Sequence, residues 1–248
     1  MNRLSSALNR RLARAIRTRG LRLRSQKPIV SFTFDDAPRS AVSNGAPILE
    51  EAGACGTYYV AGGLVGTISE NWAHLDADDL RRLCERGHEL GCHTYSHARA
   101  PDLDSQAFRR EAETNQDFVA RACGDVRLTS FAWPFGDVSL ARKAQAQAMY
   151  ASCRGINPGV NSGVADLGLL KAVALYDQTR DDAAMGAWFD KAQAANGWLI
   201  FYTHDVQVSP TQYGASADQL RHAVNMALGR GFEILTVRNA LGRLAFAG

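Results

Sequence analysis

The chain has 248 residues, of which 46% are apolar and 21% charged, and this ordinary globular composition excludes extensive disorder. Its length suits a single domain, because α/β barrels of about this size form one unit. The formal charge of +3 is unevenly distributed: residues 1–27 contain nine basic residues and no acidic one, which leaves 19 basic against 25 acidic residues in the body. An acidic body argues against an extended basic surface, so no nucleic acid is expected as a partner.

The first 27 residues form a basic segment whose apolar residues follow a helical pattern. Leucine or isoleucine recurs at four-residue spacing between the arginines, at Leu4, Leu8, Leu12 and Ile16. Such an amphipathic helix could make peripheral contact with an anionic membrane, and the alternatives are a solvated arm or a helix packed on the domain. Neither a secretory signal pattern nor an apolar run of about 18 residues is present, which predicts a cytoplasmic protein, peripheral at the inner membrane face if the segment binds lipid.

From Pro28 onward, strand-like apolar runs alternate with helical patterns. The predicted strands are Ile29–Phe34, Gly56–Gly62, His88–Cys92, Leu128–Trp133, Met149–Cys153, Leu169–Leu175, Trp198–Thr203 and Phe232–Val237. The predicted helices are Ala41–Ala52, Asp76–Glu85, Asp104–Cys123, Leu140–Ala148, Asp181–Ala195 and Ser216–Leu228. This alternation indicates parallel β-α-β units, and seven or eight of them predict an α/β barrel at 28–248, with an open doubly wound sheet as the alternative.

Titratable side chains follow three of the predicted strands, at the end where a parallel barrel forms its active site. Asp35 and Asp36 follow the first strand, His93 and His97 the third, and His204 the seventh. Two imidazoles and one carboxylate are the protein ligands of a typical catalytic zinc site, with water in the fourth position. One aspartate could bind the metal while its neighbour takes a proton from that water.

The motifs TFDD, HTYSH and WPFG, followed by a late strand that ends in histidine, carry a family resemblance. In order and spacing they resemble the motifs of the polysaccharide deacetylase family, which is carbohydrate esterase family four. The likeness covers roughly Pro28 to Val237. It implies a distorted (β/α) barrel of seven or eight parallel strands, and hydrolysis of N-acetyl, sometimes O-acetyl, groups on sugars.

The resemblance also implies roles for individual residues. Asp35 corresponds to the general base, and His204 to the general acid that protonates the leaving amine. The backbone N–H of Phe135 would help to bind the oxyanion. The ligands of one divalent metal ion would be Asp36, His93 and His97, and their chemistry favours Zn²⁺.

Two positions depart from the family pattern. The arginine that normally restrains the base is replaced by Ala132, and Arg154 could supply a guanidinium from the next strand or form a substrate or structural ion pair. Tyr202 stands where the family has leucine, so we expect an altered acetyl pocket. Asp177 falls near a carboxylate of the family that tunes its neighbours, and Trp133, beside the turn that holds Phe135, is the tryptophan to test for stacking on a sugar.

Other histidines and tryptophans are expected to lie outside the site. His74 and His222 are predicted at the surface, because their surroundings are helical or loop-like. Core packing is the better expectation for the remaining tryptophans, among them Trp72.

The sequence therefore predicts a metal-dependent carbohydrate N-deacetylase. Its expected substrate is an N-acetylated saccharide, an intermediate of surface glycan synthesis inside the cell or at the inner membrane face. The alternatives are an O-acetyl esterase or a non-sugar amidase on the same scaffold, or a catalytically weakened sugar-binding protein.

Overall fold

A computed structural model of the protein describes residue 9 and residues 11–246. In this part of the chain the strands are β1 (Gly20–Arg22), β2 (Ile29–Phe34), β3 (Thr57–Val60), β4 (Glu89–Cys92), β5 (Ser130–Ala132), β6 (Ser152–Arg154), β7 (Val164–Asp166), β8 (Val173–Ala174), β9 (Trp198–Thr203) and β10 (Glu233–Ile234). The helices are α1 (Ala46–Glu51), α2 (Ala77–Glu85), α3 (Ser105–Cys123), α4 (Leu140–Met149), α5 (Asp182–Ala194), α6 (Ala217–Gly229) and α7 (Val237–Phe246). Residues 11–15 are also helical, and the π-helical segment Ala41–Gly45 leads into α1.

Seven strands form one parallel sheet in the order β6-β5-β4-β3-β2-β9-β8, and β10 pairs with the start of β2. The pairing of β2 with β9 is continuous over six residues and is the longest in the sheet. Both strands are buried along their whole length, as parallel strands covered by helices are.

The sheet curls, and a short extended segment brings its two edges together. The N–H of Gly155, next to β6, donates to the carbonyl of Leu170 at 2.9 Å. The N–H of Leu170 donates in turn to the carbonyl of Cys153 at 2.8 Å, and the chain then continues into β8. The fold is the distorted (β/α) barrel of parallel strands that the sequence predicts, and the open doubly wound alternative is wrong.

Most predicted strands and helices are confirmed, and the errors lie at element ends. The prediction of a strand from Met149 is wrong, because α4 continues to Met149 and β6 begins at Ser152. Only two residues of the last predicted strand pair with β2, and α7 begins at Val237. The fold itself caps this helix, since the Thr57 hydroxyl and the Glu89 carboxylate accept its first N–H groups at 2.9 and 2.8 Å.

The N-terminal segment lies against the domain from residue 11 onward. β1 pairs antiparallel with β7, which the sequence does not predict. The buried ammonium of Lys143, on α4, donates to the carbonyls of Ala13 and Ile16 at 2.6 Å each and lies 2.5 Å from the Asp166 carboxylate. Lys143 therefore fixes the end of the N-terminal helical turn to the barrel.

The side of this segment that contacts the domain is not the predicted apolar face. Ala13 is buried, whereas Leu12 and Ile16 are each 42% exposed. The other residues of the predicted face, Leu4 and Leu8, lie outside the described residues. The boundary at residue 27 stays a prediction, and no helix in the described part of the chain is long and apolar enough to span a bilayer.

Candidate active site

A cavity of about 550 Å³ opens at the carboxyl ends of the parallel strands. Carboxylates, imidazoles and aromatic rings from at least four strand ends share its wall. Its lining includes Asp35, Asp36, Trp72, His74, His93, His97, Phe135, Tyr176, Tyr202, His204 and Tyr213. The structure thus brings together all the residues for which the sequence predicts a catalytic or ligand role.

The backbone is left-handed at many of the residues around this cavity. Six non-glycine residues in the described part of the chain have a positive φ. Five of them lie in the segments that follow β2, β4 and β5: Asp36, Ala37, Thr94, His97 and Phe135. This conformation costs on the order of 1 kcal/mol per residue and persists where the surrounding fold imposes it. Strain is therefore concentrated where the titratable side chains converge.

Asp36, His93 and His97 form a compact donor set. The Oδ1 atom of Asp36 lies 3.1 Å from Nε2 of His97 and 3.5 Å from Nε2 of His93. One ligand atom from each residue lies within 4.8 Å of the other two. The Asp36 Oδ1 atom is buried and has no hydrogen-bond donor, an arrangement that is costly without a cation. Two imidazoles and one carboxylate in this arrangement fit a divalent metal.

The surroundings of the two rings keep both histidines in the form that binds metal. Nδ1 of His93 lies 2.8 Å from the carbonyl oxygen of Ala132, which only accepts, so Nδ1 carries the hydrogen and Nε2 keeps its lone pair. Burial, reinforced by the neighbouring His93, lowers the pKa of His97 to about 4, although Asp36 opposes the shift. His97 is thus neutral at pH 7, which is the form that binds metal.

Asp35 is buried beside this donor set and contacts a guanidinium. Burial is the largest single effect and raises the pKa of Asp35, but the positive charge of Arg154, smaller contributions from His93 and His204 and the hydrogen bond from Arg154 together outweigh it, and the pKa lies below its usual value. Nη2 of Arg154 donates to Oδ1 of Asp35. The carboxylate is therefore ionised and able to accept a proton at neutral pH.

Arg154 reaches Asp35 from the strand next to β5. It is fully buried, and in the β5–β6 pairing it lies opposite Ala132, the position where the sequence lacks an arginine. Its guanidinium carbon lies 5.0 Å from the ring centroid of Tyr59 and 5.2 Å from that of Tyr202. Of the alternatives for Arg154, the structure places its guanidinium on the proposed base.

His204 packs against a tryptophan that the sequence places in the core. Its ring stacks on Trp72, with centroids 5.2 Å apart and planes at 29°, and its Nδ1 lies 3.2 Å from the Tyr213 carbonyl. Trp72 lines the cavity and is only partly buried, so the core prediction for it is wrong. The sequence position of Trp72 could have indicated its place at the cavity, because the loop after β3 lies at the same end of the sheet as the two aspartates.

The prediction that His74 lies at the surface is also wrong. His74 is 5% exposed and lines the cavity, with its Nδ1 at 3.1 Å from the backbone carbonyl of Asp36. The loop folds back on the segment after β2, where the N–H of Leu75 donates to the carbonyl of Ala37 at 3.1 Å. This tertiary pairing, which the sequence pattern does not indicate, buries the imidazole.

The remaining predicted residues separate into two groups. Tyr202 lines the cavity, and the ring of Phe135 lies 4.5 Å from that of His97. Trp133 also borders the cavity, but it is 1% exposed and its N–H donates to the Gly168 carbonyl at 3.1 Å, so its ring packs in the core and offers no free face to a sugar. Asp177 does not line the cavity; its carboxylate accepts the hydroxyl hydrogen of the residue that caps α6.

A parallel barrel with an Asp-His-His donor set and a second carboxylate at its strand ends defines the class: an α/β-barrel protein with a candidate metal centre. The model of the polysaccharide deacetylase family matches residues 22–152, which is more than half of the chain. The chain therefore belongs to the polysaccharide deacetylase family, and the resemblance of its motifs is confirmed.

Individual relatives cover different parts of the chain. A chitin deacetylase from Arthroderma benhamiae is 32% identical over 106 residues, which are 43% of this chain and 27% of that protein's length. The structure of peptidoglycan deacetylase PdaC from Bacillus subtilis has a TM-score of 0.58 at 15% identity and covers 88% of this chain and 92% of that one. A pseudoenzyme of carbohydrate esterase family four from Bacillus anthracis has a TM-score of 0.63 at 15% identity and covers 89% and 67%. These structural similarities show a shared fold.

Proposed function

We propose that the protein is a metal-dependent carbohydrate deacetylase that hydrolyses N-acetyl groups. One observation carries the proposal: the donor set of Asp36, His93 and His97 lies beside the ionised carboxylate of Asp35 in one cavity. Membership of the polysaccharide deacetylase family and the similarity to a chitin deacetylase support the same chemistry.

Asp36, His93 and His97 would hold one divalent ion, and two imidazoles with one carboxylate favour zinc. When bound, such an ion polarises an acyl oxygen and lowers the pKa of a water molecule toward neutrality.

The side chains of the cavity supply the proton transfers. Asp35 accepts the proton of the attacking water, and Arg154 holds its carboxylate in place and ionised. His204, which lines the same cavity, donates a proton to the leaving amine. The backbone N–H of Phe135, in the strained turn after β5, binds the developing oxyanion.

We further propose that the substrate is an N-acetylated intermediate of surface glycan synthesis, used in the cytoplasm at the inner face of a membrane. Peripheral contact of residues 1–27 with anionic lipid would bring the protein there. This part of the proposal is supported by the exposed arginines of a segment without acids, at Arg11, Arg14, Arg17, Arg19, Arg22 and Arg24.

Acetate release from a panel of N-acetylated saccharides tests the reaction. We expect release by the full chain with zinc, loss of release with a chelator, and recovery when zinc is added back. Asp35→Asn is the matched control, because it keeps the shape of the site and removes the base. Release from acyl esters alone would indicate an esterase, and saccharide binding without release under any metal would indicate a binding protein.

A further inference from the structure

Four large apolar side chains are exposed around the mouth of the cavity. Ile68 is 83% exposed, Phe135 59%, Val208 95% and Tyr213 40%. We call these four residues the apolar rim. Isolated exposed apolar residues need no explanation, but several grouped around one opening indicate an interaction surface.

The positions of these residues in the fold place all four at the same end of the barrel. Ile68 lies in the loop after β3, Phe135 in the turn after β5, and Val208 and Tyr213 in the loop after β9. Phe135 and Tyr213 line the cavity themselves. Because the strands are parallel, the loops after them meet at one end, so the rim surrounds the entrance to the candidate active site.

Exposed apolar residues are scarce at the opposite end. In the described part of the chain, the other large ones are Leu12 and Ile16 on the N-terminal segment and Leu228 near the end of α6. Leu228 lies at the other end of the barrel, because α6 leads into β10, which pairs with the first residues of β2. The N-terminal segment reaches the cavity end, where the Asn9 side chain accepts the N–H of Leu140 at the start of α4.

The chemistry of the rim favours lipid over a glycan chain. Sugar rings are bound by stacking on aromatic faces, whereas the two most exposed rim residues, Ile68 and Val208, are aliphatic. The loop tips at residues 66–73 and 207–213 contain a single ionised side chain, Glu70. Residues 11–15 of the N-terminal segment, which follow the contact of Asn9 with Leu140, expose Arg11 and Arg14 and contain no acid, which complements an anionic surface.

We propose that the apolar rim docks on an anionic lipid bilayer, so that the cavity opens toward the membrane surface. Ile68 and Val208 insert at the boundary between headgroups and acyl chains, and Arg11 and Arg14 of the N-terminal segment lie against the headgroups. The inference extends the proposed function by identifying the substrate as a sugar presented from a membrane. The docking itself does not depend on the reaction.

Flotation of the full chain with phosphatidylcholine vesicles that contain phosphatidylglycerol tests the docking. Transfer of one valine or isoleucine side chain out of water is worth roughly tenfold or more in binding, so the double variant Ile68→Ser and Val208→Ser should bind vesicles at least about tenfold more weakly. Leu228→Ser removes an equally large exposed side chain at the opposite end and should bind as the wild type does. Neither variant touches a residue with a proposed catalytic role.

Three outcomes would overturn the inference: equal vesicle binding by the double variant and Leu228→Ser, no vesicle binding by the wild type, or a concentration-dependent dimer that the double variant abolishes. The last result would make the rim an interface between two copies. Turnover of a short soluble saccharide, measured in parallel, keeps the two proposals separate. A wild type that binds vesicles through the rim but releases no acetate contradicts the proposed function and leaves the docking intact.

Discussion

At the scale of single residues, the pairing of Ala132 with Arg154 shows how one strand can supply a group that its neighbour lacks. The two residues lie opposite each other on β5 and β6, so the guanidinium approaches Asp35 from one strand further along the sheet. A sequence motif records only the position of a residue along the chain. The contact could be raised as an alternative from the sequence, but only the strand register decides it.

We expect Arg154→Ala to raise the pKa of Asp35, because burial then acts on the carboxylate without its counter-charge. The acidic limb of the profile of kcat/KM against pH should move to higher pH, since the base must be ionised to act. Arg154→Lys, which keeps the charge, is the control and should move the limb less. An acidic limb in the alanine variant that coincides with that of the wild type would contradict the role of Arg154.

We expect His97→Ala to lose the metal along with activity, because one of three protein ligands is removed. His222→Ala removes a half-buried histidine far from the donor set in sequence and should retain the metal. Metal content of the purified variants measures the effect. Full occupancy in His97→Ala would contradict the ligand assignment.

The two adjacent aspartates should respond differently to the same substitution. Asp35→Asn should retain the metal and lose about 10²- to 10⁴-fold in turnover, because an amide cannot accept the proton. Asp36→Asn should lose the metal, since the unpaired Oδ1 atom is the proposed ligand. The reverse pattern in metal analysis would show that the roles of the two residues are exchanged.

At the scale of elements, the strands and helices that can be recognised from their own residues alone are predicted best. β2 and β9 match their predicted bounds residue for residue, because each is a six-residue run that is buried throughout. α3 also begins and ends as predicted, with the Asp104 carboxylate accepting the N–H of Ala107 at 2.7 Å and Gly124 at a φ of 74°.

Elements that form only through contacts with residues far away in the sequence were not predicted. β1 consists of Gly20–Arg22 and becomes a strand only because β7 lies beside it. α7 receives its N-terminal caps from the barrel and not from its own sequence. His74 and Trp72 were missed for the same reason, since the fold of their loop against the segment after β2 brings them to the cavity.

Deletion of residues 1–24 should destabilise the domain. It removes β1 and the carbonyl partners of Lys143, and a buried polar group that loses its hydrogen-bond partners costs about 1 to 3 kcal/mol, more when charged. Lys143→Met in the full chain should be destabilising as well, because Asp166 then lacks its cation. Denaturant unfolding measures both, and unchanged stability of the truncated chain would show that the segment is only an appended arm.

At the scale of the whole molecule, the two ends of the barrel hold different kinds of polar groups: those that stabilise the fold and those of the candidate active site. The amino ends of the strands hold satisfied polar contacts, such as the buried Glu89 carboxylate, which accepts the hydroxyl hydrogens of Thr57 and Ser130 at 3.0 and 2.6 Å. The carboxyl ends hold the unpaired oxygen of Asp36 and the strained turns. The rule that parallel strands end at one face was enough to predict that the two aspartates and the histidines meet, whereas the choice of Asp36 as the metal ligand came from the family resemblance. It could not predict the rim, because exposure depends on how the loops pack.

The way the barrel closes has a dynamic consequence. β2 and β9 are joined along six residues, whereas β6 meets the segment before β8 through a few hydrogen bonds around Leu170. This seam is the place where the barrel should open first, and Arg154 lies on it. Amide hydrogens of Gly155 and Leu170 should therefore exchange with deuterium sooner than those of Val30 and Ile200 in native conditions. Each opening of these hydrogen bonds would move the Arg154 guanidinium away from Asp35. The fraction of molecules in which the bonds are formed would therefore set the fraction in which Asp35 is held ionised as a base.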